Sequence, residues 1–503
     1  MSTTSETSEL PVLRDAGLIE RFHIVRSSIN FYNNVVVSAS YSTAVPFTPD
    51  TLIRALHPVL KQHPILSVGV QLPSKPTSPP SFIRLPSIDF TKASNFILWE
   101  KSDTANSHER EYKNLICRLH DTPFKNDLLG TEPLWRIAVL QRSYHVPTAY
   151  DSPTNGEGRN DYEIVFCYHH AIADGMSGAA FHYSLFEALN SSADKATSGS
   201  GWHLYTPPED LEILPPMEDV IDFGMGLKTA GRIAGHIAKG VLPSFLQKSV
   251  WTGGKVGDKL ESTKIETVVV DPYRLESLIE ILKERKVSMT SFITYATAEA
   301  LYTTMKTTDE AEFGKMKTLR VSLPMSYRRH AEWGNDVMVD CIGAINWDIA
   351  KFKDLEHEVH AMRKLTGELK HESGVTRDTE VGLLALVPDM GAFFKGQVGK
   401  ERGLTFEVSN LGVLDVSKIG KARKEDGKAE AKDEGAKKEA DWRIEEALFS
   451  QSASIVGPMF SINVATVRGR MVIVVQWMDT VIKDKVMEAL VTRLDRNLSV
   501  FGK

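Results

Sequence analysis

The chain has 503 residues, too many for one hydrophobic core, so more than one domain is expected. Its hydrophobic fraction of 42% and charged fraction of 25% describe an ordinary soluble globular protein. A net charge of −6 argues against a global nucleic-acid or anionic-membrane footprint, and three scattered cysteines (Cys117, Cys167, Cys341) make neither a zinc spacing nor a disulfide framework.

The polar opening, Met1 to Glu9, has no basic region followed by an apolar one, so no secretory signal is expected, and no run of about 18 apolar residues suggests a membrane span. Leu13, Leu18, Ile19, Phe22 and Ile24 read as a short amphipathic helix and a turn. Asn34 to Tyr41 reads as a strand. Thr48-Pro49-Asp50 then opens a helix, with Thr48 as N-cap, Pro49 in the first turn, and Leu52, Leu56, Val59 and Leu60 on the buried face. Pro58 is expected to kink it. Residues 73–80 are a loop rich in Ser and Pro, Leu134 to Leu140 is a strand, and 146–161 is a polar surface loop.

The stretch that organises the chain follows. Ile164 to Tyr168 is an apolar run that reads as a buried strand, and Phe181, Leu185 and Leu189 mark one face of a helix for which Ser177 is the candidate cap. Between them lies His169-His170-Ala-Ile-Ala-Asp174-Gly175. Of fifteen histidines, His170 alone has an Asp four residues on. A strand-turn-helix junction can hold a side chain at a sheet edge, which makes His170 a candidate base and Asp174 the residue that orients its surroundings. Gly175 is expected to supply backbone freedom at the turn. The plain alternative is a satisfied histidine at a strand end, with Asp174 serving the helix N-terminus.

Residues 191–215 are loop-like, and 217–250 carry an amphipathic stretch that reads as a helical connection, with a membrane-surface helix as the alternative. The second half echoes the first. Ile265 to Val270 is a strand, and Asp271-Pro272 opens a helix. Another helix starts at Ser288, Leu319 to Leu323 is a strand, and Val467 to Arg470 turns a hairpin between 460–466 and 471–477. A last helix starts near Lys483. Strands and helices alternate in both halves, so the expected class is α/β with mixed sheets and flanking helices. The expected division is 1–215, a connecting segment 216–260, and 261–503. Residues 421–440, almost all charged, Gly or Ala, form an insertion that cannot bury enough surface to offset its ordering.

Phe31-Tyr-Asn-Asn-Val-Val36, Pro133-Leu-Trp-Arg136 and His170-Ala-Ile-Ala-Asp174-Gly175 together resemble the alcohol acetyltransferase family of fungi. That family falls within the CoA-dependent acyltransferases of chloramphenicol-acetyltransferase-like fold. The Leu52 to Leu66 segment resembles the first helix of that superfamily, with Pro58 and the charged insertion as departures. The resemblance implies two related domains meeting along an active-site channel, with acyl-CoA entering one side and a small-molecule acceptor the other. His170 would be the general base on an acceptor hydroxyl attacking the thioester of acetyl-CoA or another acyl-CoA. No tightly bound cofactor and no metal would be needed.

Val321 to Arg328, followed by Trp333-Gly-Asn335, resembles the superfamily segment whose Arg pairs with the motif Asp; the alternative is a surface arginine near a turn. Phe406 to Gly412 resembles a segment bordering the channel, where Ser409 and Asn410 could donate hydrogen bonds to the acyl group or CoA; the alternative is an ordinary strand-ending turn. The implied protein is a cytoplasmic monomer that binds no nucleic acid, or one attached peripherally to endoplasmic reticulum or lipid droplets. An N-acyltransferase, a secondary-metabolite acyltransferase and a non-catalytic carrier-binding relative remain alternative readings.

Overall fold

The computed structural model describes residues 10–45, 47–90, 97–102, 105–142, 160–191, 203–224, 226, 250–351, 355–414 and 442–500. Two sheets carry the architecture. The first has five strands in the order Trp442–Gln451, Val35–Thr43, Asn160–Tyr168, Trp135–Gln141 and Ile97–Lys101, antiparallel except for the last pair. The second has six, in the order Thr263–Val270, Arg470–Met478, Phe460–Val467, Phe406–Val413, Thr318–Ser326 and Ile342–Ala350. Its two parallel pairings, on either side of Phe406–Val413, make it mixed. The mixed α/β class thus follows from both sheets.

The halves of the sequence and the two sheets do not coincide. Trp442–Gln451 lies in the chain after four of the second sheet's six strands and before the other two, yet it pairs with Val35–Thr43 along the edge of the first sheet. A division at residue 261 therefore leaves one strand of the first sheet on the far side. The segments 146–159, 227–249 and 421–440, read as a loop, part of a helical connection and a charged insertion, lie outside the described residues.

Local chemistry explains most elements. Thr48 caps the Pro49–Gln62 helix by accepting from the Thr51 amide at 3.2 Å, and Pro49 occupies its first turn. That helix runs continuously through Pro58. Asp271 caps Pro272–Glu284 in the same way. The Val467 to Arg470 hairpin turns on Arg468 and Gly469, both at positive φ (47° and 75°). The region around Leu13 is a strand, Val12–Asp15, followed by the helix Leu18–Ser28.

The central strand of the first sheet, Asn160–Tyr168, is buried from Asp161 onward, which its continuous apolar run requires. Phe166 stacks on Phe181 of the following helix, Gly175–Asn190, with ring centroids 3.8 Å apart. Gly178 lets this helix lie directly on the sheet: a Cβ there would come within 2.3 Å of Val37.

Candidate active site

Tyr168 ends the central strand, and its hydroxyl donates to the Asp174 carbonyl at 2.7 Å, closing the turn that carries His170. The His169 amide donates to Leu134 at 2.9 Å, tying the turn to the neighbouring strand. His169 itself is buried and used up locally, since its Nδ1 accepts from the Ala171 amide at 3.1 Å. Burial pushes its imidazole down to about 3, so it stays neutral.

The cap of the next helix is Asp174 rather than Ser177. Asp174 Oδ1 accepts from the Ser177 amide at 2.8 Å and from the Ser177 hydroxyl at 2.9 Å. Gly175 is not at positive φ, so backbone freedom is not why glycine stands there. The reason is space: a Cβ would lie 2.6 Å from the Leu411 side chain and 3.2 Å from the Phe449 ring. Leu411 belongs to the second sheet and Phe449 to the first, so this glycine lets both approach the turn.

Arg328 reaches Asp174 from the second sheet's side. Its Nη2 lies 2.7 Å from Asp174 Oδ1, 2.8 Å from Ser177 Oγ and 3.1 Å from the Val339 carbonyl, and its Nη1 donates to Val337 at 2.7 Å. The Cys341 amide approaches Asp174 Oδ2 at 3.3 Å. Both side chains are buried, at 2% and 0% exposure. A bidentate-capable guanidinium with several acceptors suits such a site, because an unpaired charge there would be costly.

His170 stands in different surroundings. It lines a cavity of about 710 Å³ shared with His23, Arg26, Tyr32 and Glu407. Its ring stacks on His23, with centroids 3.8 Å apart and planes within 3°. His170 Nδ1 lies 3.7 Å from Asp340 Oδ2, and His23 Nε2 lies 3.4 Å from the same oxygen. His23 Nε2, His170 Nδ1 and both Asp340 oxygens are buried without a hydrogen-bond partner. Burial pushes Asp340 up to about 6, opposed by the nearby His170 and reinforced by the Asp174 charge. Burial also lowers His23 well below the ordinary imidazole value, with His170 and Arg26 beside it adding to the effect.

Among the described residues, His23, His170 and Asp340 are one group whose ligand atoms could approach a metal ion together. An imidazole nitrogen binds a metal in the ring plane. Two rings stacked within 3° of parallel cannot both aim at one ion, so a ring would have to turn first.

Ser409 and Asn410 both line the cavity. Asn410 is engaged within the fold: Oδ1 accepts from the Gly412 amide of its own turn at 2.8 Å, and Nδ2 donates to Thr290 at the start of the helix Met289–Thr308 at 3.1 Å. Apart from Tyr32, which lines the cavity, the Phe31 to Val36 and Pro133 to Arg136 stretches serve as framework. Asn33 and Asn34 donate to the His120 and Leu119 carbonyls, and Trp135 donates to Leu66 at 2.8 Å.

Sequence reasoning passed over His23, Arg26 and Asp340. Each had a signal. His23 sits on the face of Leu18–Ser28 shared by the buried Glu20, Ile24 and Ser27. Asp340 is a single carboxylate within Val337-Met-Val-Asp340-Cys-Ile342. A lone polar residue in an apolar run is the informative kind of exception.

A family model described as alcohol acetyltransferase matches residues 89–498. The chain is 24% identical over 499 residues to "Probable alcohol acetyltransferase crmB" of Aspergillus fumigatus, covering 94% of this chain and 96% of that protein. It is 23% identical to "Probable alcohol acetyltransferase FCK4" of Fusarium pseudograminearum, over 86% of this chain and 82% of the relative. In fold it is similar to the TRI3 trichothecene 15-O-acetyltransferase of Fusarium sporotrichioides, with a TM-score of 0.65, 14% identity, and coverage of 96% and 94%. The epimerization domain of tyrocidine synthetase B is also similar, with a TM-score of 0.57, 12% identity, and 98% of each chain covered. Among the described residues, no helix is long and apolar enough to cross a membrane.

Proposed function

The chain belongs to the alcohol acetyltransferase family and is an acyltransferase, and from that premise we propose that it moves an acyl group from acyl-CoA, acetyl-CoA first among them, to the hydroxyl of a small-molecule alcohol. His170 is the general base. The observation that carries this reading is the placing of His170 in the wall of a cavity of about 710 Å³, on a turn clamped by the buried Asp174–Arg328 pair.

An alcohol is a poor nucleophile at neutral pH, while imidazole titrates near the working range. In the proposed step His170 takes the hydroxyl proton as the alcohol oxygen attacks the thioester carbonyl. The tetrahedral intermediate collapses, the carbon–sulfur bond breaks, and the imidazolium returns a proton to the departing thiolate. A positioned base supplies about 10²- to 10⁴-fold. Orientation of the two substrates in the cavity, and hydrogen bonds from groups such as Ser409 to the developing oxyanion, supply further rate. Asp174, Gly175 and Arg328 act on geometry: they hold the turn and do not reach the reacting atoms. Asn410 shapes the strand end beside Ser409.

The test is to incubate the purified protein with acetyl-CoA and a panel of alcohols and amines, following free thiol and identifying products by mass spectrometry. Ester formation with at least one alcohol is expected. Thiol release only with amines would replace the acceptor class, and no thiol release with any acyl-CoA would remove the reading.

A further inference from the structure

The stacked pair of histidines and the buried carboxylate beside it form an ordered set whose proton positions can be worked out from one fixed end. Arg26 Nη2 lies 3.0 Å from His23 Nδ1. A guanidinium has no acceptor and stays protonated, so Arg26 donates and His23 Nδ1 must carry a lone pair. His23 is driven towards the neutral form by burial, so its single proton lies on Nε2. That nitrogen faces Asp340 Oδ2 at 3.4 Å, and the same oxygen faces His170 Nδ1 at 3.7 Å.

A carboxylate only accepts, so the favourable arrangement places a proton on His170 Nδ1 as well. The lone pair of His170 then falls on Nε2. Both separations exceed hydrogen-bonding range, and because each N–H lies in its ring plane, a small turn of a ring together with a shift of about 0.5 Å closes them, the kind of tightening that substrate binding produces. The His23 ring stacks on His170 and limits how far either ring can turn. The Arg26 guanidinium is itself held over the Tyr32 ring at 3.9 Å, which anchors the far end.

We propose that Arg26, His23 and Asp340 form a relay that fixes the tautomer of His170, with Nδ1 protonated and Nε2 left to take the acceptor's proton, and that Asp340 is its positioning residue. This rests on the reading of His170 as base. It makes Asp340 distinct from Asp174, which is committed to the turn and to Arg328.

The test is long-range ¹⁵N–¹H correlation spectroscopy of full-length protein labelled with ¹⁵N-histidine, with the His170 signals assigned by their loss in His170→Gln. The expected spectrum of the native protein at neutral pH shows His170 protonated at Nδ1 and bare at Nε2. In Asp340→Asn the Nε2-protonated form should appear, because an amide can donate to Nδ1. The same variant should lose at least about tenfold in kcat, as a base in the wrong tautomer does, with KM for acyl-CoA within about twofold. A native His170 protonated at Nε2 overturns the relay even if esters form. One tightly bound zinc per chain, lost in Asp340→Asn, overturns it in favour of a metal site. The spectrum is read whether or not an acceptor has been found, so failure of the relay and failure of the acyltransfer reading are separate results.

Discussion

Two aspartates, both buried and both near His170, are treated in opposite ways by the surrounding chain. Asp174 accepts from the Ser177 amide and hydroxyl and from Arg328, with the Cys341 amide beside its second oxygen. Asp340 accepts no hydrogen bond at either oxygen and faces two imidazole nitrogens just out of range. The saturated carboxylate is a structural tie between the motif turn and the second sheet. The unsaturated one is kept at an energetic cost, and burial without full compensation is a mark of groups that act. The difference predicts that neutralising one should harm the fold, and neutralising the other should harm only the chemistry.

The largest effect should come from breaking the tie. Arg328→Met or Asp174→Asn leaves a charge or a strong hydrogen-bonding group stranded, and each should cost about 3–5 kcal/mol in denaturant unfolding, with activity falling alongside. The double variant should lose less than the sum of the singles, because the second change removes a group already orphaned. Strict additivity would mean that the pair does not act as a unit.

Asp340→Asn should do the reverse for stability. The folded carboxyl, near 6, lies above its ordinary value of 3.8. The native state therefore holds this proton more tightly than the unfolded chain, and stability is lost as pH rises from about 4 through about 6. Above that window the ionised Asp340 costs at most about 3 kcal/mol, so the variant should melt higher than the native protein at pH 8, with the gap closing by pH 4. Thermal unfolding at the two pH values checks this; a variant less stable at pH 8 would make Asp340 a second structural tie.

Gly175→Ala should cost about 1–3 kcal/mol, because its Cβ must displace Leu411 and press on Phe449. Leu411→Ala in the same chain should recover part of the loss, since it removes the clash. The smallest effect is expected for replacing 421–440 by a short Gly/Ser bridge. Its charged composition predicts an unchanged melting temperature and turnover.

The legible parts of the molecule were those encoded locally. Thr48-Pro49, Asp271-Pro272, the apolar run into Tyr168 and the Arg468-Gly469 turn each declare their structure within a few residues. Assignments that depend on remote neighbours were harder. Asp174 caps its helix by a bond only three residues long, which the sequence offered as the alternative to Ser177, but the same side chain also meets Arg328, 154 residues away. Gly175 is explained by Leu411 and Phe449, which no local pattern could place beside it. The crossing of Trp442–Gln451 to the first sheet is decided by pairing with Val35–Thr43, some 400 residues earlier. His23 and Asp340 meet only because Leu18–Ser28 packs on the motif turn, so their shared contact with His170 is a product of tertiary structure alone.

The central claim is that His170 removes the acceptor's proton, and the turnover of His170→Ala tests it most directly. With saturating acyl-CoA and acceptor, kcat for thiol release should fall by at least about a hundredfold while the melting temperature holds, and His169→Ala should lose far less. A His170→Ala enzyme that turns over at near the native rate would contradict the account.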